Sequence, residues 1–229
     1  MDKFIKATNI TKKFYSLRNG WDYVFHKQNV HFPFGKNIGL LGLNGAGKTV
    51  LLKILSKAES LNEGKLEISG SVSWPVGVSA GLDPALTGKE NIDFICSALG
   101  ITEIDEVTKE VAERANLLSF MDKQVKNYSS GMQARLAFFL CFVVDFDFYL
   151  ADEITAVGDD IFKQKAEEFM KNKTDKSTLI LTSHSIDHIR EHCEIGCVID
   201  KGKISPVIDI EESIRYYQEV IDQGMKDAR

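Results

Sequence analysis

The spacing of apolar and polar positions divides the chain into three stretches. In the first, short apolar runs broken by Gly, Lys and Asn predict strands at Phe4-Ile5, Tyr23 to Phe25, Val30 to Phe34 and Asn37 to Leu41. A helix is predicted from about Gly47 to Lys57, then short strands over 65–69 and 71–74. The second stretch changes period. Thr87-Gly-Lys-Glu90 fits a capping box, in which Thr87 accepts from a free helical N–H and Glu90 reaches back to the cap. Ile92, Ile95, Cys96 and Leu99 then recur at helical spacing, as do Ile104, Val107, Val111 and Leu118. Residues 87–128 therefore read as mostly helical, followed by a helix from about Gly131 to Val143. The third stretch alternates strand and helix: strands over 146–151, 178–182 and 196–200, and helices over 159–171, 186–192 and from about Glu211 onward. Such alternation predicts a parallel α/β sheet. The strand over 146–151 is apolar apart from Asp147, as expected of a strand covered on both faces.

The expected organisation is one domain over 1–229, with a helical subdomain near 87–145 and a C-terminal helix near 211–229. At 229 residues, 44% hydrophobic and 27% charged, the chain can bury a core, and wholesale disorder is excluded. A net charge of -5, from 28 Lys+Arg against 33 Asp+Glu, argues against coating nucleic acid. The longest apolar run, 136–144, is far short of the roughly 20 residues of a membrane-spanning helix. The N-terminal segment lacks the apolar stretch of a secretory leader, so the chain is expected in the cytoplasm unless a partner holds it at a membrane. Cys96, Cys141, Cys193 and Cys197 lack metal-knuckle spacing and are expected to be reduced, buried thiols.

The chemistry concentrates at strand ends. Gly42-Leu43-Asn44-Gly45-Ala46-Gly47-Lys48-Thr49 matches G-x-x-x-x-G-K-[ST], after a predicted strand and opening a predicted helix. In that context the glycines let backbone N–H groups face phosphate oxygens, and the helix N-terminus adds positive potential. Lys48 then reaches the β/γ-phosphates, and the Thr49 hydroxyl is a Mg²⁺ ligand. Asp152 and Glu153 follow the apolar strand, where a Mg²⁺-facing acid and a general base for water belong. His184 follows the strand over 178–182 and is placed to hydrogen-bond the γ-phosphate. Ser183, His184 and Asp187 do not make a hydrolytic triad, since no G-x-S-x-G elbow is present. Tyr128-Ser129-Ser130-Gly131-Met132 sets small hydroxyl residues at a helix start, a cap that also suits an anion.

The order of phosphate loop, helical insertion, Tyr-Ser-Ser-Gly-Met, Asp-Glu and strand-end His resembles an ABC transporter ATPase from Thr8 to about Lys203. The resemblance implies an ABC-type P-loop nucleotide-binding domain: a parallel α/β core, an antiparallel β piece and a helical subdomain. It makes Ser129, Ser130 and Gly131 part of the signature loop, with Arg135 its trailing Arg. Asp152 becomes the Walker B Asp, Glu153 the catalytic Glu, Asp159 the D-loop Asp and His184 the switch His. Phe14 becomes the aromatic under adenine, with Tyr15 and Tyr23 as alternatives. The sequence departs from the family in Ser130 for Gly, Met132 for Gln, and Pro75-Val76-Gly77 where the Q-loop Gln belongs.

Ser73-Trp74-Pro75-Val76-Gly77, Leu86-Thr-Gly-Lys-Glu-Asn91 and Glu153-Ile-Thr-Ala-Val-Gly-Asp159 resemble the polysaccharide-exporter branch, and within it the Gram-negative capsular polysaccharide exporters. That implies ATP and Mg²⁺ as cofactors and hydrolysis coupled to export. It implies a homodimer that sandwiches ATP, with two copies of a polytopic permease, at the cytoplasmic face of the inner membrane. Periplasmic and outer-membrane export proteins are implied beyond the permease, and nucleic acid is not a partner. O-antigen or teichoic acid export, a soluble non-transport ABC ATPase and a P-loop small-molecule kinase are the competing readings.

Overall fold

The computed structural model describes residues 2–18, 20–76, 81–153, 160–174 and 176–227. The chain forms two compact units: Met1–Pro75, Phe146–Asp152 and Thr174–Arg229 make the first, Val76–Asp145 and Glu153–Lys173 the second.

The first unit opens with a long antiparallel pair, β1 (Phe4–Ser16) and β2 (Gly20–Pro33). The sequence predicts shorter strands here. The difference lies in register shifts between Ala7 and Lys13, with positive φ at Asn9 and Lys27, which break the period-two pattern without ending the pairing. Lys12 adds to the disguise. It is buried, because its ammonium reaches Glu59 Oε1 at 2.6 Å and Ser60 O at 3.0 Å. With β4 (Glu63–Ser69) the pair completes a three-stranded sheet in the order β2-β1-β4.

The larger sheet is built from β3 (Ile38–Gly42), β5 (Val72–Val76), β6 (Phe148–Asp152), β7 (Thr178–Thr182), β8 (Ile195–Asp200), β9 (Lys203–Ile204) and β10 (Ile208–Asp209). Its order is β10-β8-β3-β7-β6-β5, with β9 beside β8. β3 pairs in parallel with β7 and β8, and β6 pairs in parallel with β7, as the strand–helix alternation requires. β3 and β7 are buried along their whole length, and both are apolar apart from the threonines that begin and end β7. Helix α1 (Lys48–Leu55) buries Leu51, Leu52, Ile54 and Leu55 in a core shared with Phe25 and Phe32 of β2 and Phe148 and Leu150 of β6. Cys193 and Cys197 are buried thiols; burial, aided at Cys193 by Glu194, pushes both up, Cys197 to about 12.

In the second unit, α2 (Gly88–Leu99) starts at the capping box: Glu90 N donates to Thr87 Oγ1 at 3.1 Å, and Thr87 N donates to Glu90 Oε2 at 2.7 Å. α3 (Ile104–Arg114) and α4 (Ser130–Val143) follow. α4 is apolar on nearly all sides and buried from Leu136 to Phe142, which accounts for the longest apolar run of the chain. Phe138, Phe139 and Phe142 form an aromatic cluster with Phe162 and Phe169 of α5 (Asp160–Thr174). In the first unit, α6 (Ile186–His192) and α7 (Ile210–Asp227) complete the fold. Among the described residues no helix is long and apolar enough to cross a membrane.

Candidate functional site

β3 delivers the chain to the glycine loop. Gly42, Gly45 and Gly47 adopt φ of 156°, 78° and 109°. At Gly47 a side chain is doubly excluded: the backbone is left-handed, and a Cβ would lie 2.8 Å from Val24 Cγ1 and 2.9 Å from Phe25 Cζ. The loop tightens through Ala46 N donating to Leu43 O at 3.1 Å. Gly47 caps α1 without a side-chain hydrogen bond, and the first turn carries no acidic residue. The positive end of the helix is thus left for an anion. The buried Lys48 curls back so that Nζ donates to Gly42 O at 2.8 Å and Leu43 O at 3.3 Å, which puts an ammonium inside the loop.

One turn of chemistry further, Thr49 Oγ1 donates to Asp152 Oδ2 at 2.7 Å. Thr182 Oγ1 donates to the other oxygen, Oδ1, at 2.6 Å. Asp152 and Thr182 are register partners at the C-terminal ends of β6 and β7. Thr182 is a residue that the sequence reading passed over. Its only local signal is a polar residue closing an apolar strand, and its meaning depends on strand pairing. Hydroxyl and carboxylate oxygens are hard donors, the set that suits Mg²⁺, and they lie beside a loop shaped for phosphate. The residues present therefore fit Mg²⁺ with a nucleotide polyphosphate.

Glu153 follows with φ 56°, a left-handed value for a non-glycine residue where the chain leaves β6. His184 is exposed two residues beyond the end of β7. Ser183 Oγ accepts from Ser185 N at 3.1 Å, and the Asp187 carboxylate accepts from Arg190 at 3.1 Å. Asp159 lies outside the described residues, as do 154–158 and Gly77.

The aromatic candidates divide by face. Lys12 is the register partner of the buried Phe25, and Phe14 lies two residues on, on that same face. Phe25 is the ring that meets Gly47. Lys12 Nζ sits 4.6 Å from the Phe14 ring centroid. Tyr15 and Tyr23 occupy the opposite face with Trp21, where the Lys13 ammonium lies over Trp21 at 4.6 Å and Tyr23 at 5.5 Å. Phe14 therefore lies with Lys12, and Tyr15 and Tyr23 lie with Trp21 and Lys13.

In the second unit, Ser129 caps α4, its Oγ accepting from Met132 N at 3.2 Å. Ser129 and Ser130 are exposed, and a Cβ at Gly131 would meet nothing within 4 Å. The loop before them is pinned by Tyr128 Oη donating to Phe120 O at 2.7 Å and Gln133 Nε2 donating to Val125 O at 3.1 Å. Arg135 Nε is buried with no hydrogen-bond partner among the described residues.

The ABC transporter family model matches residues 25–156. The polysialic acid transport ATP-binding protein KpsT of Escherichia coli is 39% identical over 216 residues, covering 93% of this chain and 98% of that protein. The capsule polysaccharide export ATP-binding protein CtrD of Neisseria meningitidis serogroup B is 37% identical, covering 93% and 98%. A dimeric post-hydrolysis structure of the ATP-binding cassette MJ0796, bound to ADP and Pi, superposes with a TM-score of 0.76 at 20% identity, over 90% of this chain and 98% of that one. That likeness shows the fold, and the sequence matches show the family. The chain belongs to the ABC transporter family and is one of its ATPases.

Proposed function

We propose that this ATPase powers export of a capsular polysaccharide across the inner membrane, from its cytoplasmic face. The pairing of Thr49 with Asp152 at the mouth of the glycine loop carries the catalytic half of this reading. The similarity to KpsT and CtrD, which are named for polysialic acid transport and capsule polysaccharide export, supports the cargo.

When bound, Mg²⁺·ATP supplies the phosphoanhydride to be cleaved and a divalent charge on its phosphates. The residues 42–47 wrap the phosphates with main-chain N–H groups, and Lys48 brings its ammonium to the β/γ oxygens. Thr49 and Asp152 hold the metal with hydroxyl and carboxylate oxygens. Glu153 accepts the proton of the attacking water, and His184 hydrogen-bonds the γ-phosphate as negative charge shifts onto it. Phe14 stacks on adenine. In a head-to-tail dimer, Ser129, Ser130 and Gly131 of one chain close on the ATP held by the other. Two permease subunits carry the polymer, and export proteins further out in the envelope connect through them.

The test is a strain carrying Lys48→Ala. It should make the polymer, fail to display it and accumulate it inside the cell. A normal surface capsule in that strain would refute the reading, and loss of synthesis would point to a biosynthetic role.

A further inference from the structure

β7 ends on Thr182, a fully buried threonine whose hydroxyl gives its hydrogen to a carboxylate. The strand is Thr-Leu-Ile-Leu-Thr, buried throughout, and a valine would fill the last position with the same shape and the same strand preference. A hydroxyl there has to be desolvated, and a charge-assisted bond to Asp152 Oδ1 at 2.6 Å offsets that cost. Thr178, at the other end of β7, is buried too, but its hydroxyl accepts from the Gly35 N–H at 2.7 Å and serves a turn. The two hydroxyls have different tasks, and only Thr182 sits opposite Asp152 in the register.

Asp152 is thus gripped on both oxygens, Oδ2 by Thr49 from the start of α1 and Oδ1 by Thr182 from the neighbouring strand. With one oxygen held, a carboxylate still rotates about its Cβ–Cγ bond; with both held by separate elements, it keeps one orientation. We propose that Thr182 is a positioning residue for Mg²⁺: its hydroxyl holds Oδ1 of Asp152, so that Oδ2 and the Thr49 hydroxyl stay together as the metal-facing pair. This rests on the reading of Asp152 as the metal-facing acid. Thr182 does not touch nucleotide or metal in this scheme. It acts through Asp152, as hydrogen-bonded supports of metal ligands generally do, and removing such supports costs about 10–100-fold in metal affinity or activity.

The test uses the full chain and a fluorescent N-methylanthraniloyl ATP, titrated with Mg²⁺ and separately in excess EDTA. For Thr182→Val, half-saturating Mg²⁺ should rise about 10–100-fold, with EDTA binding within about twofold of the parent. Thr182→Ser keeps the hydroxyl and should stay within about threefold of the parent in Mg²⁺. Valine keeps the shape of β7, so Thr182→Val should stay folded at the titration temperature, melting below the parent because a hydrogen bond to a charged group is lost. An unchanged Mg²⁺ requirement in Thr182→Val overturns the proposal. So does a serine variant as impaired as the valine one, which would make shape and not the hydroxyl the cause. Loss of EDTA binding in Thr182→Val also overturns it, because the phosphate loop itself would then be disturbed. A parent chain that binds the nucleotide with no Mg²⁺ dependence removes Asp152 from its role, and one that binds none removes the nucleotide site; in both cases the proposal goes with it.

Discussion

Asp147 and Ser71 hold each other from both sides. Asp147 Oδ2 accepts from Ser71 N at 2.8 Å and from Ser71 Oγ at 3.1 Å, and Ser71 Oγ in turn accepts from Asp147 N at 2.9 Å. The neighbouring main chain continues the clamp: Phe148 N donates to Ser71 O at 3.0 Å, and Thr178 N donates to Asp147 O at 2.9 Å. Lys3 joins through an ion pair to Oδ1 at 2.5 Å. Asp147 therefore ties the starts of β1, β5, β6 and β7 together, at the end of the sheet away from the glycine loop. Burial works to raise its carboxyl, but Lys3 and Ser71 outweigh it and hold it below the usual carboxylate range.

Asp147→Ala should lower stability by about 1.5–3 kcal/mol, the range for hydrogen bonds to a charged group. Denaturant unfolding at pH 7 measures this. The depressed pKa makes the contribution complete above the unfolded value of about 3.9 and lost as pH falls through the folded one. The gap between parent and variant should therefore close in strong acid. A gap that stays constant to the acid limit would mean that the carboxylate charge plays no part.

Gly47→Ala places a methyl group against Val24 and Phe25 at a left-handed position. The cost should be about 1–3 kcal/mol of stability from the backbone alone. Nucleotide affinity should fall as well, since relief of the contact moves the start of α1. Calorimetric melting and nucleotide titration read the two effects separately.

Glu153→Gln keeps the side chain's size and removes its capacity to accept a proton. Turnover should fall at least about 10²-fold, with nucleotide binding retained. Steady-state hydrolysis beside equilibrium binding decides the matter, and near-normal hydrolysis would take the base role away from Glu153.

His188 should contribute to the pH dependence of stability near neutrality. Both of its ring nitrogens are buried without a partner among the described residues, and the His192 ring lies 4.6 Å away. Burial first, then the His192 charge, push its pKa down, while Glu191 opposes them. The folded chain thus takes up this proton later than the unfolded one, so stability is full above about pH 6.5 and declines as pH falls below it. Melting at pH 7.5 and pH 5.5 should show that drop, and His188→Leu should reduce it. An equal drop in the variant would assign it elsewhere.

The phosphate loop was legible because its chemistry is local: eight consecutive residues specify the turn, the helix start and the ammonium. The capping box at Thr87 and Glu90 was legible for the same reason. The role of Asp147 is not legible in the same way. A single acid inside an apolar run looks like part of the strand, yet β6 starts at Phe148 and Asp147 is its tether. Thr182 escaped notice because its partner lies 30 positions away and is brought close only by the register of two parallel strands. The hairpin of β1 and β2 was seen in pieces, since a buried Lys12 and bulged register reverse the polarity pattern on which strand recognition depends.

The glycine loop hangs from β3, which is buried at all five positions and paired on both edges. The strand that anchors the loop is thus set when the domain folds, before any ligand arrives. Amide hydrogens of Leu40 and Leu41 should exchange with solvent only on global opening, whether or not nucleotide is present. Release of a spent nucleotide is therefore expected to leave β3 intact.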